Sequence, residues 1–476
     1  MSKPFDEQPE ASAGGVLAPH RRALTIGMVS TVTLVAFESL AVITILPDIE
    51  DDLVGLSWYG WVTSAFFLGT LIGIVVAGDQ ADRRGLGRPY VTGLSFFALG
   101  LVLAGLAPSM PVLVGARFVQ GLGAGVVPAI GYIAIGRVYP EALRPRMFAV
   151  LSTAWVVPGI AGPALAERVS NGPGWRWVFL GLIPLVLVAG TIVIPAMLAV
   201  RRTDDETLDA PPPGRILDAV FVASGAAMVV GAFTSSSWLV PLLLAGGVAV
   251  GLRPLMRLTP QGTFRAAPGL PTVILSRGLL TFGFFGADTF VPHALTDARG
   301  ASTASGSIAV SASVLGWTSG SWLQERKVAT VGERALIRAG YLLLAAAGAG
   351  VAVTSATGSL PVWLIHVSWT VGGLGIGVAY SVHSQLVLSR ARPGELGTNT
   401  SALQLCDNLG VALGAGVTGA AVTLADGRSW SPGTGVALAL LIPVVVALGG
   451  VVLSARLPSR RQTMVVKGTV PSHGNP

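Results

Sequence analysis

One cysteine, Cys406, in 476 residues excludes a disulfide framework and any cysteine-based metal site. The five histidines show no ligand spacing, so no metal is expected. Charge is scarce too. Asp, Glu, Lys and Arg make up 12% of the chain, against about a quarter in a soluble globular protein. There is no Walker-type loop, metal cluster or nucleophile motif, which argues against an ATP-driven pump and against an enzyme with a bound cofactor. Nor is there a repeated filter-like loop or a ring of charges, as a channel would need.

What fills the chain is apolar length. Hydrophobic residues make up 52% of it and mean hydropathy is +0.69. Runs near or above the ~20 apolar residues that cross a bilayer recur from end to end. The first follows His20, Arg21 and Arg22, but it far exceeds the ~7–15 residue core of a signal peptide, so a retained span is expected. Spans are read at 24–47, 57–77, 90–107, 111–135, 147–167, 177–199, 216–233, 236–252, 271–292, 303–323, 336–355, 360–388, 398–424 and 432–455. The expectation is an all-α polytopic membrane protein with fourteen spans. The pair within 216–252 is short and joined by "TSSS"; if it does not cross, twelve spans remain and the parity is unchanged.

With the N-terminus inside, 25 of the 31 Lys and Arg fall on the inner side. Four fall outside (Arg168, Arg176, Arg299, Arg428) and two, Arg117 and Arg277, lie within spans. This asymmetry predicts cytoplasmic N- and C-termini in a cell membrane. It also accounts for the net charge of +7 as a topology signal spread over short loops, so no nucleic-acid partner is expected.

The chain divides into a tail at 1–23, six spans over 24–199, polar linkers around the extra pair at 200–270, six spans over 271–455, and a tail at 456–476. "RRTDDETLDAPPPGR" and "RPLMRLTPQGTFRAAPGLP" mark the linkers. "GDQADRR" (78–84) follows the second span, and "GSWLQERK" (320–327) follows the second span of the later half. Six and six with a weak internal repeat suggests two bundles that rock about a central site.

Three stretches sharpen this. In "GDQADRRGLGR", Gly78 permits close helix approach. Asp82 can accept from the positive N-terminus of another helix, the candidate being the span that begins at "GTNTSALQ". In "RFVQGLGAG" (117–125), Arg117 is a charge inside a span, a functional candidate by its cost; Gln120 follows one turn on, and the glycines let a neighbour pack. In "VVPGIAGPALAERV" (156–169), Pro158 and Pro163 remove backbone donors and should kink the helix beside Gly159 and Gly162.

Gly78, Asp82, Arg83, Gly85 and Arg88 resemble the loop signature of the major facilitator superfamily, with the last basic position displaced by Leu86 and Gly87. "RFVQGLGAG" resembles its fourth-span motif. The Gly162–Pro163 pair is similar to the fifth-span signature of its drug:proton antiporters, although Ala166 and Glu167 stand where that family has glycines. The resemblance covers nearly the whole chain and points to the fourteen-span branch. It implies two six-helix bundles with an extra pair between them, bacterial inner-membrane location, and proton-driven export of amphipathic or cationic drugs by a monomer. Export of an endogenous lipid or secondary metabolite is the alternative.

Three acids lie within spans. Glu38, in "TVTLVAFESLAVITILP", sits roughly 22 Å along its span at ~1.5 Å per residue, in a hydrocarbon core about 30 Å thick. Asp288 follows "TFGFFGA". Asp407 shares a helical face with Gln404 and Asn408. Unpaired, such an acid resists ionisation and can carry a proton or recognise a cation. The expectation is that the three acids, with Arg117 as a partner, line a cavity between the halves. In the resembling family a first-span acid often serves cation recognition or proton coupling, which ranks Glu38 first.

Overall fold

The computed structural model describes residues 15–53, 58–200, 214–234, 239–357, 359–392, 394–426 and 430–458. Residues 1–14 and 459–476 of the two tails, most of the 200–215 linker, Ser236 in the "TSSS" connection and Arg428 lie outside the described residues. The described residues are helical throughout, with no strand among them.

The first half comprises α1 (Pro19–Leu53), α2 (Tyr59–Arg84), α3 (Gly87–Gly105), α4 (Met110–Val138), the broken span α5 (Arg144–Thr153) and α6 (Val156–Ser170), and α7 (Arg176–Leu180) with α8 (Leu182–Ala199). The extra pair is α9 (Arg215–Thr234) and α10 (Val240–Leu258). The second half comprises α11 (Leu270–Asp288) with α12 (Val291–Thr296), α13 (Thr303–Val331), α14 (Glu333–Ala356), α15 (Trp363–Arg390), α16 (Leu396–Asp426) and α17 (Pro432–Leu453).

Among the described residues, thirteen helical units are long and apolar enough to cross a membrane, both members of the extra pair among them. The read span at 303–323 is not one of them. Its helix, α13, has 29 residues, ample length at ~1.5 Å each, but six serines between 303 and 323 dilute its apolar character. It packs along α15 inside the second half instead of offering an apolar surface all round. The Ser302 hydroxyl caps its start by accepting from the Ser305 N–H. Gly332, at φ 86°, ends it.

Each half is closed by a seam of glycines four residues apart. A Cβ at Gly69 or Gly73 on α2 would strike the backbone of Phe118 or Leu122 on α4, and one at Gly121 or Gly125 would strike Phe66 or Thr70 in return. In the second half, Gly316 and Gly320 of α13 meet Thr370 and Leu374 of α15 in the same way, while Gly373 and Gly377 meet Ser313 and Trp317. Small residues let backbones approach where lipid supplies no hydrophobic drive between helices. The second and fourth spans of the two halves are therefore joined alike.

One core gathers Ile45, Tyr90, Phe97, Ile130 and Phe179 of the first half. Another gathers Ile274, Phe284, Tyr341, Trp369 and Leu440 of the second. The halves meet mainly where α2 packs on α16 and α5 on α13. The extra pair attaches at the first of these junctions. Ala219, Val222 and Ala223 of α9 pack with Leu71 and Val75 of α2, Leu405 of α16 and Leu258 of α10. At the other end of α1, beyond the span, Asp52 accepts from Arg176 at 2.6 Å and from the Trp175 indole at 3.1 Å. Those donors hold its carboxyl below the usual range.

Candidate functional site

In the first half, α1 and α4 bury one charged cluster. Glu38 is fully buried and Arg117 and Gln120 nearly so. Arg117 Nη1 donates to Glu38 Oε1 and to Gln120 Oε1, and its Nε donates to the Val62 carbonyl at 3.3 Å. Its guanidinium also lies 4.3 Å from the Phe66 ring centroid. Arg117 and Gln120 are three residues apart on α4, so they share a face. The second carboxylate oxygen of Glu38 and the amide nitrogen of Gln120 are buried without a hydrogen-bond partner. Glu38 and Arg117 thus form one buried ion pair. A buried arginine needs a counter-charge as much as a buried acid does, and each supplies the other's.

The second half carries its own pair. Arg277 on α11 donates to Asp407 on α16 through Nε at 2.9 Å and Nη2 at 3.3 Å. The Tyr380 hydroxyl donates to Asp407 Oδ2 at 2.8 Å. Arg277 also bonds the Tyr380 carbonyl and lies 2.9 Å from that ring's centroid. Tyr132, on α4 of the other half, faces the same cluster. Arg277 is fully buried. The sequence marked it only as a charge within a span, although the rule that singled out Arg117 applies to it equally. Tyr132 and Tyr380 gave no signal, because aromatic residues in spans are ordinary.

Asp288 stands apart from both pairs. It lies eleven residues after Arg277 on α11, hence on nearly the same face and ~16 Å away along the axis. It accepts from the Trp369 indole at 2.6 Å. Phe284 stacks on Trp369 with centroids 5.1 Å apart and meets Trp317 edge-on at 5.4 Å; Trp317 in turn meets Tyr380 at 4.9 Å. An aromatic wall thus runs from Asp288 to the Arg277–Asp407 pair. Three acids around one Arg117 are not what the structure has: each half holds a separate ion pair, and Asp288 is held by aromatic residues. Gln404 is buried near Asp407 with its amide nitrogen unpartnered. Asn408 turns back on its own helix to the Gln404 carbonyl at 2.9 Å.

The stretch 78–84 is not a loop, since α2 continues to Arg84 and turns only at Gly85, φ 77°. Asp82 Oδ1 accepts from the Gly397 N–H at 2.8 Å, and Oδ2 from the N–H and hydroxyl of Thr398 at 2.8 and 3.1 Å. These are first-turn donors of α16, at the positive end of its dipole. A Cβ on Gly78 would collide with the Gly397 carbonyl and Ser401, so the glycine permits the approach that the acid fastens. Arg137 adds a charge 3.8 Å from Asp82. Arg83 bonds Asp79 at 3.1 Å within its own helix, and Arg88 is exposed at the start of α3. Gly87 takes the place of a basic residue because it packs against Leu198.

The proline-rich span breaks rather than kinks at its first proline. Pro158 has no N–H for the Ala154 carbonyl, and α5 ends at Thr153 with α6 beginning at Val156. Pro163 is accommodated inside α6. Gly159 faces Val314 of α13 and Gly162 faces Phe37 of α1, so this span lies between the two halves. Ser152 donates to Ser321 at 2.9 Å across the same junction.

Two helical bundles, each with a buried ion pair and joined where α2 packs on α16 and α5 on α13, form the frame of a multi-pass membrane carrier. The chain belongs to the Major Facilitator Superfamily, whose sequence profile matches residues 27–415. It is 25% identical over 457 residues to a probable multidrug-efflux transporter of Mycobacterium tuberculosis, covering 92% of this chain and 94% of that one. It is 24% identical over 434 residues to the multidrug transporter protein MdtP of Bacillus subtilis, covering 86% and 76%. The methylenomycin A resistance protein of Streptomyces coelicolor is 25% identical over 440 residues, with 90% of each covered. Among solved structures, the human organic anion transporter MFSD10 superposes with a TM-score of 0.67 at 16% identity, covering 90% of this chain and 99% of that one. The proton:xylose symporter XylE gives 0.62, also at 16%, covering 90% and 94%. At such identities these two speak for the fold alone.

Proposed function

We propose that the protein exports amphipathic, cationic drugs in exchange for protons, by alternating access between its two halves. The observation that carries this is Glu38: fully buried, bonded through one oxygen to Arg117, with its second oxygen unpartnered. That oxygen can take a proton, and protonation dissolves the ion pair and frees Arg117 to re-partner. The pair is thus a two-state element whose switch is one proton. Asp288 supplies the other half of an antiporter. A carboxylate set among Phe284, Trp317 and Trp369 suits a flat, apolar cation, which gains from aromatic faces as well as from charge.

The Asp82 contacts fasten the inner end of α2 to α16, which corresponds to a conformation closed to the cytoplasm and ready to load protons from outside. Relatives named as multidrug transporters along nearly the full length support the substrate class. A second reading, export of a secondary metabolite, is favoured by the likeness to the methylenomycin A resistance protein. Fluorescent-dye efflux in everted vesicles tests the proposal. Transport of a cationic dye should follow an imposed proton gradient and stop on adding an uncoupler. Transport indifferent to the uncoupler contradicts proton coupling, and a dye that is never moved contradicts the substrate class.

A further inference from the structure

Four arginines from four separate elements surround one cavity of about 580 Å³ at the end of the second half where α14 begins and α15 and α17 finish. They are Arg265 in the turn after α10, Arg334 in the first turn of α14, Arg390 at the end of α15, and Arg456 just past α17. Among the described residues, no acidic side chain lines the cavity. Glu333, beside it, offsets part of the charge of Arg390, which leaves a strong positive excess.

Two of the four are aimed by the backbone. Arg334 donates through Nε and Nη2 to the Leu457 carbonyl, and Arg456 reaches the Arg265 and Ala266 carbonyls at 3.5 Å. These contacts fix position without neutralising charge. The turn that carries Arg265 is tied as well: Thr263 and Thr272, to either side of it, are buried and bond the Pro260 and Ala267 carbonyls. Ala266 is held at φ 51°, the left-handed region that an alanine rarely adopts. Topology alone asks for arginines near the inner surface; it does not ask that four converge on one hollow.

A membrane-facing track leads to the hollow. Leu441, Val445, Leu448 and Val452 are all exposed, at alternating steps of four and three along α17, so they form one stripe on one face. The next step of that series is Ala455, which lines the hollow beside Arg456. We propose that this is a binding site for an anionic phospholipid, with its phosphodiester headgroup among Arg265, Arg334, Arg390 and Arg456 and an acyl chain lying on the α17 stripe. Guanidinium forks match phosphate oxygens, and basic hollows between helices on the inner side are where such headgroups are held. The site is distinct from the buried ion pairs and does not depend on the transport cargo.

The test is competition against a fluorescent phosphatidylglycerol bound to the full-length protein in neutral detergent. Phosphatidylglycerol should compete, phosphatidylcholine with the same chains should be at least about tenfold weaker, and millimolar inorganic phosphate should fail. Arg265→Gln should weaken binding about fivefold, the value of one surface guanidinium, and adding Arg456→Gln should weaken it further. The Arg265 side chain makes no hydrogen bond or ion pair among the described residues, so its loss leaves the fold intact. Equal competition by phosphatidylcholine, competition by free phosphate as strong as by lipid, or unchanged affinity in both variants would overturn the proposal.

Discussion

Take away Glu38 and the Arg117 guanidinium is left buried with only Gln120 and the Val62 carbonyl to meet it. Breaking a buried pair from one side costs about 3–5 kcal/mol, whereas removing both charges is far milder. Glu38→Gln alone should therefore lower the thermal midpoint in detergent, and Glu38→Gln with Arg117→Gln should recover most of the loss while staying inactive in transport. A single variant as stable as the parent would mean that the pair is not formed. At Asp82 the expected effect is different. Asp82→Asn keeps the size but loses the charge at the α16 N-terminus, a change of up to ~2 kcal/mol where partly buried. Transport should fall several-fold with expression unchanged. In a chain whose Cys406 is replaced by serine, cysteines placed at 82 and 398 should crosslink readily in the resting protein. Failure to crosslink under any condition would remove the contact.

Among the elements, α9 is the one whose position the sequence did not announce. It packs on both α2 and α16, the helices that join the halves, so it is well placed to influence their separation. Its first residue, Arg215, is buried with Nε and Nη2 unpartnered, close to the charges of Asp79, Asp82 and Asp218. Arg215→Gln should weaken the closed inner end and lower transport several-fold at matched expression, because a cation balancing Asp79 and Asp82 from the side is lost. An unchanged transport rate would return α9 to a passive role. The glycine seams explain another gap in legibility. Each pair, such as Gly69 with Gly73 or Gly316 with Gly320, is unremarkable in a chain with 62 glycines, and its meaning emerges only when the opposing backbone is seen at contact. The break before Pro158 was half legible: a missing N–H can be read from the sequence, but whether the helix bends or stops depends on what packs against it.

For the molecule as a whole, hydropathy and arginine placement were enough to read a two-bundle membrane protein, since a bilayer forces every span to be helical and apolar. Only α13 escaped that reading in part, because a helix packed between α15 of its own bundle and α5 of the other half can carry serines. The site was less legible. Pairing is a three-dimensional fact, and nothing local in "LSRGLL" around Arg277 points to Asp407, 130 residues away. What emerges is a carrier with one ion pair sunk in each half, of which the first-half pair is proposed to exchange a proton for a cation. The direct measurement is proton release from purified protein in weak buffer on adding saturating tetraphenylphosphonium, followed with a pH indicator. Starting from a pH acid enough to protonate Glu38 and break its pair with Arg117, the wild-type protein should release protons, and Glu38→Gln, already neutral at that position, should release fewer while its Asp288 still binds the cation. Equal release from both would place the exchanged proton elsewhere and contradict the account.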